Sequence, residues 1–518
     1  MLWLSPMPAF DRRPNRRAQP AVLLAGALFA ACSSANDLPS GFTLGTATAG
    51  FQVDMGCPTL PAERCEDRAS DWYVYATSTA AKARMGTFLK GDPPSGGPGM
   101  FETYAADFDR MRGLGLGAYR FSVEWSRVFP RSTRGVDDHE ALRALADPEA
   151  LAFYKAQLAA LRARGLRPFV TLHHYTLPTW VHDGVGCTLD FARCSPRGWL
   201  EPWIVDEIAK YAGFVARELG AEVDVWATMN EPFAVVLAGY LQPTATRSNP
   251  PAQTLRWREA KTVMLAMIQA HARMVDAVRA ADAVDADGDG RAAELGIVYP
   301  VAPILPKDPT NPLDQAAAEN LSYVYNDVFM NAVAKGVLDD DLDGAGEPRA
   351  DLAGRLDWFG LNYYFKVVVE GTTESFLPDL SPLLTANPLT LEQGAVYAEG
   401  IRDMLRKVHE AYGLPVYITE NGATPETDGG QERFLAEHLQ HVLLATREDG
   451  VDVRGYFWWS YVDNYEWNHG FEMRFGLYGL AGDAAKTRVE RPVAALLRSI
   501  AEAQAIPDAV VERYPVAR

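Results

Sequence analysis

Two glutamates of this 518-residue chain stand where short apolar segments end. Glu420 follows residues 415–419, whose alternating β-formers predict a buried strand, and an Asn-Gly pair ends that strand abruptly. Glu231 follows a second such segment, residues 223–229, and is itself followed by proline. Either glutamate alone could form a salt bridge at the end of its strand. Together, one protonated and one ionised carboxyl can supply the general acid and the nucleophile that cleavage of a glycosidic bond requires.

The elements that must position these glutamates alternate along the chain between strand-like and helix-like patterns. The predicted strands span residues 42–47, 118–122, 167–172, 223–229, 295–300, 356–361, 415–419 and 453–458. Strands separated by helices predict parallel βαβ units, and eight such units close into a barrel whose site lies at the C-terminal ends of the strands. We therefore expect an α/β fold, a single (β/α)8 TIM barrel with long loop insertions. Glu231 would end strand four and Glu420 strand seven, close enough for like charge to raise the pKa of the acid.

Residues 1–32 have the pattern of an export signal. Four arginines precede an apolar stretch, residues 21–31, that is too short to span a bilayer. Cys32, in the run FAAC, resembles the modified cysteine of a bacterial lipobox; the alternative is ordinary cleavage nearby with loss of Cys32. We expect an exported protein of the periplasm or cell envelope, anchored to the membrane only by lipid at Cys32. The remaining boundaries are a linker at 33–40, a barrel domain at 41–505 and a tail at 506–518.

Four further cysteines form two close pairs in the sequence. They are Cys57, Cys65, Cys187 and Cys194. In an exported chain such pairs indicate disulfides, most simply between the cysteines nearest in sequence, although four cysteines allow three connectivities. A metal site is the alternative, but no histidine pattern accompanies these cysteines.

The charge of the chain limits the classes of partner. A formal net charge of −18 disfavours nucleic acid and anionic substrates and suits a protein that acts on small neutral molecules. Two acidic runs place aspartates at alternate positions before glycine, as at the start of a calcium loop. They comprise Asp285, Asp287 and Asp289, and Asp339, Asp341 and Asp343. Neither run has glutamate at the twelfth position, so we interpret both as solvated acidic loops, with calcium binding as the alternative. We expect no cofactor for catalysis.

Several motifs resemble those of glycoside hydrolase family 1, the β-glucosidase and β-galactosidase family, from residue 42 to about residue 499. The resemblance implies that Glu231, in TMNEP, is the acid/base and that Glu420, in ITENG, is the nucleophile of a retaining enzyme. The segment YRFSVEWSR implies that Arg120 lies beside the nucleophile and keeps it ionised. An arginine buried in an ion-pair network is the alternative for Arg120.

The same resemblance implies a set of sugar contacts. In GLNYY, Tyr364 would donate a hydrogen bond to the nucleophile and Asn362 would line the pocket, while Asn230 would contact the 2-hydroxyl. Gln52, in FTLGTATAGFQVDMG, would bind the distal hydroxyls of the sugar. In TLHHYTLPTW, His174 and not His173 would contact sugar. Tyr175-Thr176 replaces the Trp-Asp of most relatives and is more similar to the archaeal branch.

The segment FWWSYVDNYEWNHGFEMRFGL is the most informative about substrate. Its implied pocket residues are Trp459, Glu466, Trp467 and Phe475. A flat indole packs against the C–H face of a sugar, and the Glu466 carboxylate would bind the 4- and 6-hydroxyls. Without the motif, half of these aromatic residues would be assigned to packing. A carboxylate here would repel a 6-phosphate, so neutral β-D-glucosides or β-D-galactosides are the expected substrates of an exo-acting hydrolase. The alternatives are a transglycosylase or a receptor-like member that binds sugar or protein without hydrolysis.

Overall fold

Eight parallel strands close into a barrel in the computed structural model, which describes residues 35–378 and 380–517. In chain order, β1 to β8 are Thr43–Ala47, Ala118–Ser122, Arg167–His173, Val225–Asn230, Glu294–Pro300, Trp358–Asn362, Val416–Asn421 and Val453–Trp459. Each strand pairs with its neighbours in sequence, and β8 closes the barrel on β1. The predicted (β/α)8 barrel is therefore confirmed, with most strand boundaries within two residues of the expected ones.

A long helix follows each strand and covers the outside of the barrel. These helices, α1 to α8, are Met100–Gly113, Pro148–Ala163, Ile204–Leu219, Trp257–Ala281, Pro312–Ser322, Gly400–Tyr412, Gly430–Arg447 and Pro492–Ala503. Helix α2 shows the local code, because Asp147 caps it by accepting from the backbone N–H groups of Glu149 and Ala150 while Pro148 supplies the first-turn dihedral. Helix α5 continues through the turns Tyr323–Asp327, Val328–Met330 and Asn331–Lys335.

The shorter elements belong to the loops. Short helices span Gly50–Val53, Ala62–Cys65, Asp71–Thr77, Thr79–Met85, Gly86–Phe88, Pro94–Gly96, Trp125–Val128, His139–Leu145, Gly184–Leu189, Gly198–Leu200, Gly220–Glu222, Pro232–Val236, Leu237–Leu241, Trp467–His469 and Asp508–Arg513. Strands Ile304–Pro306, Lys366–Val369 and Glu392–Ala395 form a three-stranded sheet. Two strand pairs join Tyr478–Leu480 to Arg488–Glu490 and Val337–Leu338 to Glu347–Pro348.

Aromatic side chains fill the interior of the barrel. Phe169, Trp358, Tyr417 and Phe457 pack together in one buried cluster. A glycine makes room for the largest of these rings, because a Cβ at Gly296 would lie 2.2 Å from the Trp358 indole. The interior is thus a packed core, and a substrate is expected at the C-terminal ends of the strands.

Disulfides staple two of the loops. Cys57 is bonded to Cys65, and Cys187 is bonded to Cys194. The pairing of sequence neighbours is confirmed, and these cysteines do not form the alternative metal site.

The segments on either side of the barrel domain pair with each other. The Leu38 N–H donates to the Gln504 carbonyl, and the Ile506 N–H donates to the Asn36 carbonyl. Leu38 and Ile506 are both buried in the main core. The described parts of the expected linker, 33–40, and of the expected tail, 506–518, are therefore packed segments of the unit that begins at Asn36.

The expected export signal, residues 1–32, and Cys32 lie outside the described residues. Within residues 35–378 and 380–517, no helix combines the length and the apolar character needed to cross a bilayer.

A buried ion pair fixes helix α1 to the last loops of the barrel. The Asp107 carboxylate accepts from Arg488 at 2.7 and 3.0 Å, and from the Tyr461 hydroxyl at 2.9 Å. Both charged side chains are almost completely buried. Removing one partner would leave the other charge buried without compensation.

We expect Asp107→Ala to lower the free energy of unfolding by about 3–5 kcal/mol, because the Arg488 guanidinium loses its counter-ion in the interior. Urea unfolding followed by tryptophan fluorescence measures the change. Asp109→Ala is the matched control, since Asp109 is 67% exposed and pairs with Arg164 at the surface. Equal stability of the two variants would contradict a structural role for the buried pair.

Candidate active site

Glu420 occupies the penultimate position of β7, and two donors hold its carboxylate. Arg120, in β2, donates from Nη1 to Oε1 at 2.7 Å. Tyr364, two residues beyond β6, donates from its hydroxyl to Oε2 at 2.8 Å. Glu420 is 4% exposed and Arg120 is 1% exposed. The carboxylate is therefore removed from bulk water and bound through both oxygens.

Glu231 follows β4 directly and turns into the same pocket. Its φ of 45° lies in the left-handed region, which a non-glycine residue adopts at a cost of about 1–3 kcal/mol. The side-chain amide of Asn362 donates to Oε1 at 2.9 Å, and the Tyr175 hydroxyl donates to Oε2. Tyr175 also has positive φ. Strain of this kind is found where the surrounding structure fixes a functional side chain.

Two amide side chains, a guanidinium and a histidine connect the two glutamates. Arg120 Nη2 donates to Asn230 Oδ1 at 2.8 Å, and Asn362 Nδ2 lies 3.3 Å from the same oxygen. Asn230 Nδ2 lies 3.0 Å from His174 Nε2. These contacts join the ends of β2, β3, β4, β6 and β7, so the positions of Glu231 and Glu420 depend on closure of the barrel.

Burial dominates the electrostatics of the site. Burial raises the pKa of Glu420; the Arg120 charge opposes this rise and the Glu231 charge adds to it. The sequence predicts that crowding raises the pKa of the acid, Glu231, and that Arg120 keeps Glu420 ionised. In the structure, the rise is found at Glu420 because desolvation outweighs Arg120.

Neighbouring groups stay neutral for the same reason. Burial raises the pKa of Tyr175 and of Tyr364 well above the usual range, so both hydroxyls remain donors. Burial lowers the pKa of His174 well below its usual range, so its ring is neutral and Nε2 can accept from Asn230.

The residues expected to bind sugar lie in the same pocket. Gln52 Nε2 donates to Glu466 Oε2 at 3.0 Å. Burial raises the pKa of Glu466 to about 7, although the Arg247 charge lowers it. The His174 ring is stacked near both indoles, 5.9 Å from Trp459 and 5.8 Å from Trp467 between centroids.

The aromatic residues divide between pocket and core. Trp467 is 1% exposed and stacks on Phe51 at 5.7 Å, so much of its ring is used in packing. Phe475 lies edge-on to Tyr364, with 6.3 Å between centroids. His173 points away from the pocket and lies against Trp199 at 5.3 Å, whereas His174 contacts Asn230.

Sequence reasoning missed one charged residue of the pocket, Arg247. Its Nη2 lies 3.9 Å from Glu231 Oε2, and its Nη1 lies 3.8 Å from Glu466 Oε1. The guanidinium carbon lies 4.8 Å from the centroid of the Tyr175 ring. Arg247 belongs to a loop without periodicity or a recognisable motif, so no sequence signal marked it.

The acidic runs form two groups of carboxylates away from these glutamates. Asp285 and Asp287 join Asp224, and not Asp289, within 4.8 Å, which corrects the expected ligand set because Asp224 comes from a distant part of the sequence. Asp339, Asp341 and Asp343 form the other group. Backbone N–H groups already bind two of these side chains: Gly290 donates to Asp285 at 2.8 Å and Gly344 donates to Asp339 at 2.9 Å. Loop ordering by the aspartates accounts for these contacts.

A closed (β/α)8 barrel with two buried carboxylates at the C-terminal ends of β4 and β7 defines a barrel glycoside hydrolase. The sequence model of glycosyl hydrolase family 1 matches residues 34–506. The chain belongs to this family and is a β-glycosidase, which confirms the resemblance seen in its motifs.

Two curated relatives are β-galactosidases. That of Pyrococcus woesei is 35% identical over 481 residues, which cover 85% of this chain and 92% of the relative. That of Sulfolobus acidocaldarius is 34% identical over 501 residues, which cover 91% and 96%. Both are archaeal, in agreement with the archaeal-type motif after β3. Among solved structures, the β-glycosidase from Thermosphaera aggregans has a TM-score of 0.78 at 28% identity and covers 93% of this chain and 100% of its own.

We expect Tyr364→Phe to raise the pKa of Glu420 further, because the variant loses a donor that favours the ionised form. The protonated form then persists to higher pH. The low-pH limb of kcat/KM on a nitrophenyl β-D-glycoside should move upward by about one pH unit. Tyr363→Phe is the control, since the Tyr363 hydroxyl donates to the Tyr397 carbonyl instead. A limb that stays in place, or moves downward, would refute this role for Tyr364.

Proposed function

We propose that this protein is a retaining exo-β-glycosidase that hydrolyses neutral β-D-glucosides or β-D-galactosides through a covalent glycosyl-enzyme intermediate. One observation carries the proposal: Glu420 is held by Arg120 and Tyr364, and Glu231 enters the same pocket from a different strand. Two donors on one carboxylate suit a nucleophile that must be ionised to attack. A second carboxyl without a cation in hydrogen-bond contact suits a group that gives and takes a proton.

The first step transfers the sugar to the protein. Glu231 gives its proton to the glycosidic oxygen while the bond from that oxygen to the anomeric carbon breaks. An oxygen of Glu420 forms the new bond to the anomeric carbon, and the aglycone leaves as an alcohol. Asn230, held by Arg120 and His174, would contact the 2-hydroxyl through a hydrogen bond that strengthens in the oxocarbenium-like transition state.

The second step releases the sugar. The Glu231 carboxylate takes a proton from water, and the water oxygen attacks the anomeric carbon as its bond to Glu420 breaks. Both glutamates return to their starting protonation states. Two displacements at one carbon leave the β-configuration of the product unchanged.

The groups around Glu466 support a neutral substrate. Its carboxylate, fixed by Gln52, can accept hydrogen bonds from sugar hydroxyls. The same carboxylate would repel a phosphate at the 6-position of the sugar. The relatives named above are β-galactosidases, and others of lower identity are β-glucosidases. A receptor-like protein would not need both glutamates held in this way, and the pocket favours hydrolysis over that alternative. Transglycosylation would use the same intermediate with an alcohol in place of water.

Glu420→Gln should lower kcat on a nitrophenyl β-D-glycoside by about ten-thousand-fold or more, because the amide cannot form the glycosyl intermediate. Absorbance of released nitrophenol measures the rate. Glu410→Gln is the control, since Glu410 is exposed near the end of helix α6, the helix that leads into β7. A Glu420→Gln variant as active as the unaltered protein would contradict the assignment of Glu420 as the nucleophile.

A companion experiment tests the assigned acid/base and the stereochemistry. Glu231→Ala should retain the first step on substrates with good leaving groups, and azide should restore turnover by attacking the glycosyl-enzyme without a base. NMR should show a β-glycosyl azide. An α-azide would exclude a covalent intermediate on Glu420.

We propose further that the protein is exported and held at the cell envelope by lipid on Cys32. The arginines and apolar stretch before Cys32 support this, and two disulfides suit an oxidising compartment. A single fatty-acyl chain binds a membrane only marginally, so we expect a lipoprotein anchor with more than one acyl chain.

Expression of the whole chain in a bacterial host with a fatty-acid probe tests the anchor. The unaltered protein should be labelled and sediment with membranes, whereas Cys32→Ser should be unlabelled. An unlabelled protein that fractionates like Cys32→Ser would exclude the anchor.

A further inference from the structure

We infer that Arg247 contacts the substrate and that it recognises the sugar's 6-hydroxyl jointly with Glu466. This inference rests on the proposed function. It starts from the position of a cation that the catalytic steps above do not use: Arg247 lies between Glu231 and Glu466, at 3.9 and 3.8 Å.

These two distances are informative because they exceed a hydrogen bond. Among residues 35–378 and 380–517, the Arg247 guanidinium makes no hydrogen bond to a protein acceptor within 3.5 Å, and its side chain is 30% exposed. A gap of 3.8 Å between a guanidinium nitrogen and a carboxylate oxygen can be bridged by one oxygen bonded to both. A hydroxyl fits this gap, because its oxygen accepts from Arg247 while its proton is donated to Glu466. A phosphate dianion has no proton to donate to the carboxylate, and a methyl group can neither donate nor accept.

The two carboxylate oxygens of Glu466 have different neighbours, and this difference indicates which sugar hydroxyl each oxygen binds. Oε2 accepts from Gln52, the residue assigned to the distal ring hydroxyls and 1% exposed. Oε1 faces Arg247 on the more open side of the pocket. Because Glu466 is assigned to the 4- and 6-hydroxyls, Oε2 is left for the ring 4-hydroxyl and Oε1 for the exocyclic 6-hydroxyl.

The loop that carries Arg247 is clasped by the segment after Glu466. Asn468 accepts from the Ser248 N–H at 3.1 Å and donates to the Ala245 carbonyl at 2.8 Å, so it holds the chain on both sides of Arg247. His469 donates to the Thr246 carbonyl at 2.8 Å. The Tyr175 ring supports the guanidinium at 4.8 Å. The segments that carry Arg247 and Glu466 are therefore fixed to each other, as joint recognition requires.

The Arg247 charge also acts on Glu466 directly. Burial raises the pKa of Glu466 to about 7, and Arg247 is the main group that opposes this rise. The charged and titratable groups that face Glu466 are Arg247, Glu420, Glu231 and Tyr364. Loss of the Arg247 charge would raise the pKa of Glu466 further, because the main group that opposes the effect of burial would be gone.

The test compares Arg247→Gln and Arg247→Lys on two substrates that differ at one position. Nitrophenyl β-D-galactoside carries the 6-hydroxyl, and nitrophenyl β-D-fucoside is its 6-deoxy counterpart. Arg247→Gln should lower kcat/KM about 10- to 100-fold on the galactoside and less than about threefold on the fucoside. For this variant, the low-pH limb of the kcat/KM profile on the galactoside should move to higher pH. Arg247→Lys keeps the charge and should keep the limb in place while losing part of the galactoside rate.

Arg217→Gln is the charge-matched control, because Arg217 is exposed near the end of helix α3, the helix that leads into β4. It should leave both substrates and the pH limb unchanged. Equal losses on galactoside and fucoside would show that Arg247 only supports the pocket, and a gain in kcat/KM would show that its guanidinium competes with the sugar. Either result overturns the inference, as does an unchanged variant. If the unaltered protein hydrolyses neither substrate and equals Glu420→Gln, the proposed function itself has failed.

Discussion

The pocket depends on the withdrawal of three carboxylates from water into one cavity. Glu231, Glu420 and Glu466 are each largely buried. The Glu231 charge raises the pKa of Glu420, and the charges of both raise the pKa of Glu466. Two guanidiniums compensate for this, in different ways. Arg120 binds Glu420 directly, whereas Arg247 stays just beyond hydrogen-bond range of the other two. Neutral donors from Gln52, Tyr175, Asn362 and Tyr364 bind the remaining carboxylate oxygens, except Glu466 Oε1, without adding charge.

The barrel holds these buried charged side chains close together. Each contributing strand brings one or two polar side chains to the rim, and the aromatic interior below leaves no room for the rim to collapse inward. The fit of Trp358 against Gly296 shows how closely that interior is packed. Because the strand ends rest on this packed interior, they can hold Glu231 and Tyr175 in left-handed backbone conformations that a loosely packed loop would not maintain.

Most of the fold could be predicted from sequence because barrel strands are short, apolar and bounded by turn residues. The end of strand β7 could not be predicted in this way. The apolar pattern stops before Glu420, but the strand continues to Asn421 because Glu420 and Asn421 still pair with β6 and β8. The disulfides could be predicted because their partners are seven and eight residues apart. Both glutamates stood out through their positions at strand ends.

Features made by contacts between distant loops could not be predicted. Arg247 reaches the pocket because Asn468 and His469 clasp its loop, and neither side of that clasp has a periodic pattern. Asp224 joins Asp285 and Asp287 for a similar reason. The direction of the pKa shift at Glu420 depends on how far burial outweighs Arg120, which is a property of packing and not of residue type.

The pairing of residues 36–38 with residues 504–506 closes the chain at the same place where β8 closes the barrel on β1. Since every barrel strand pairs with its sequence neighbours, none has a special status as the first. The order of the elements around the barrel is cyclic, and the natural break is only one of several equivalent ones. A circular permutant that joins residue 36 to residue 506 and opens the exposed acidic turn at 287–290 would keep every strand pairing of the barrel.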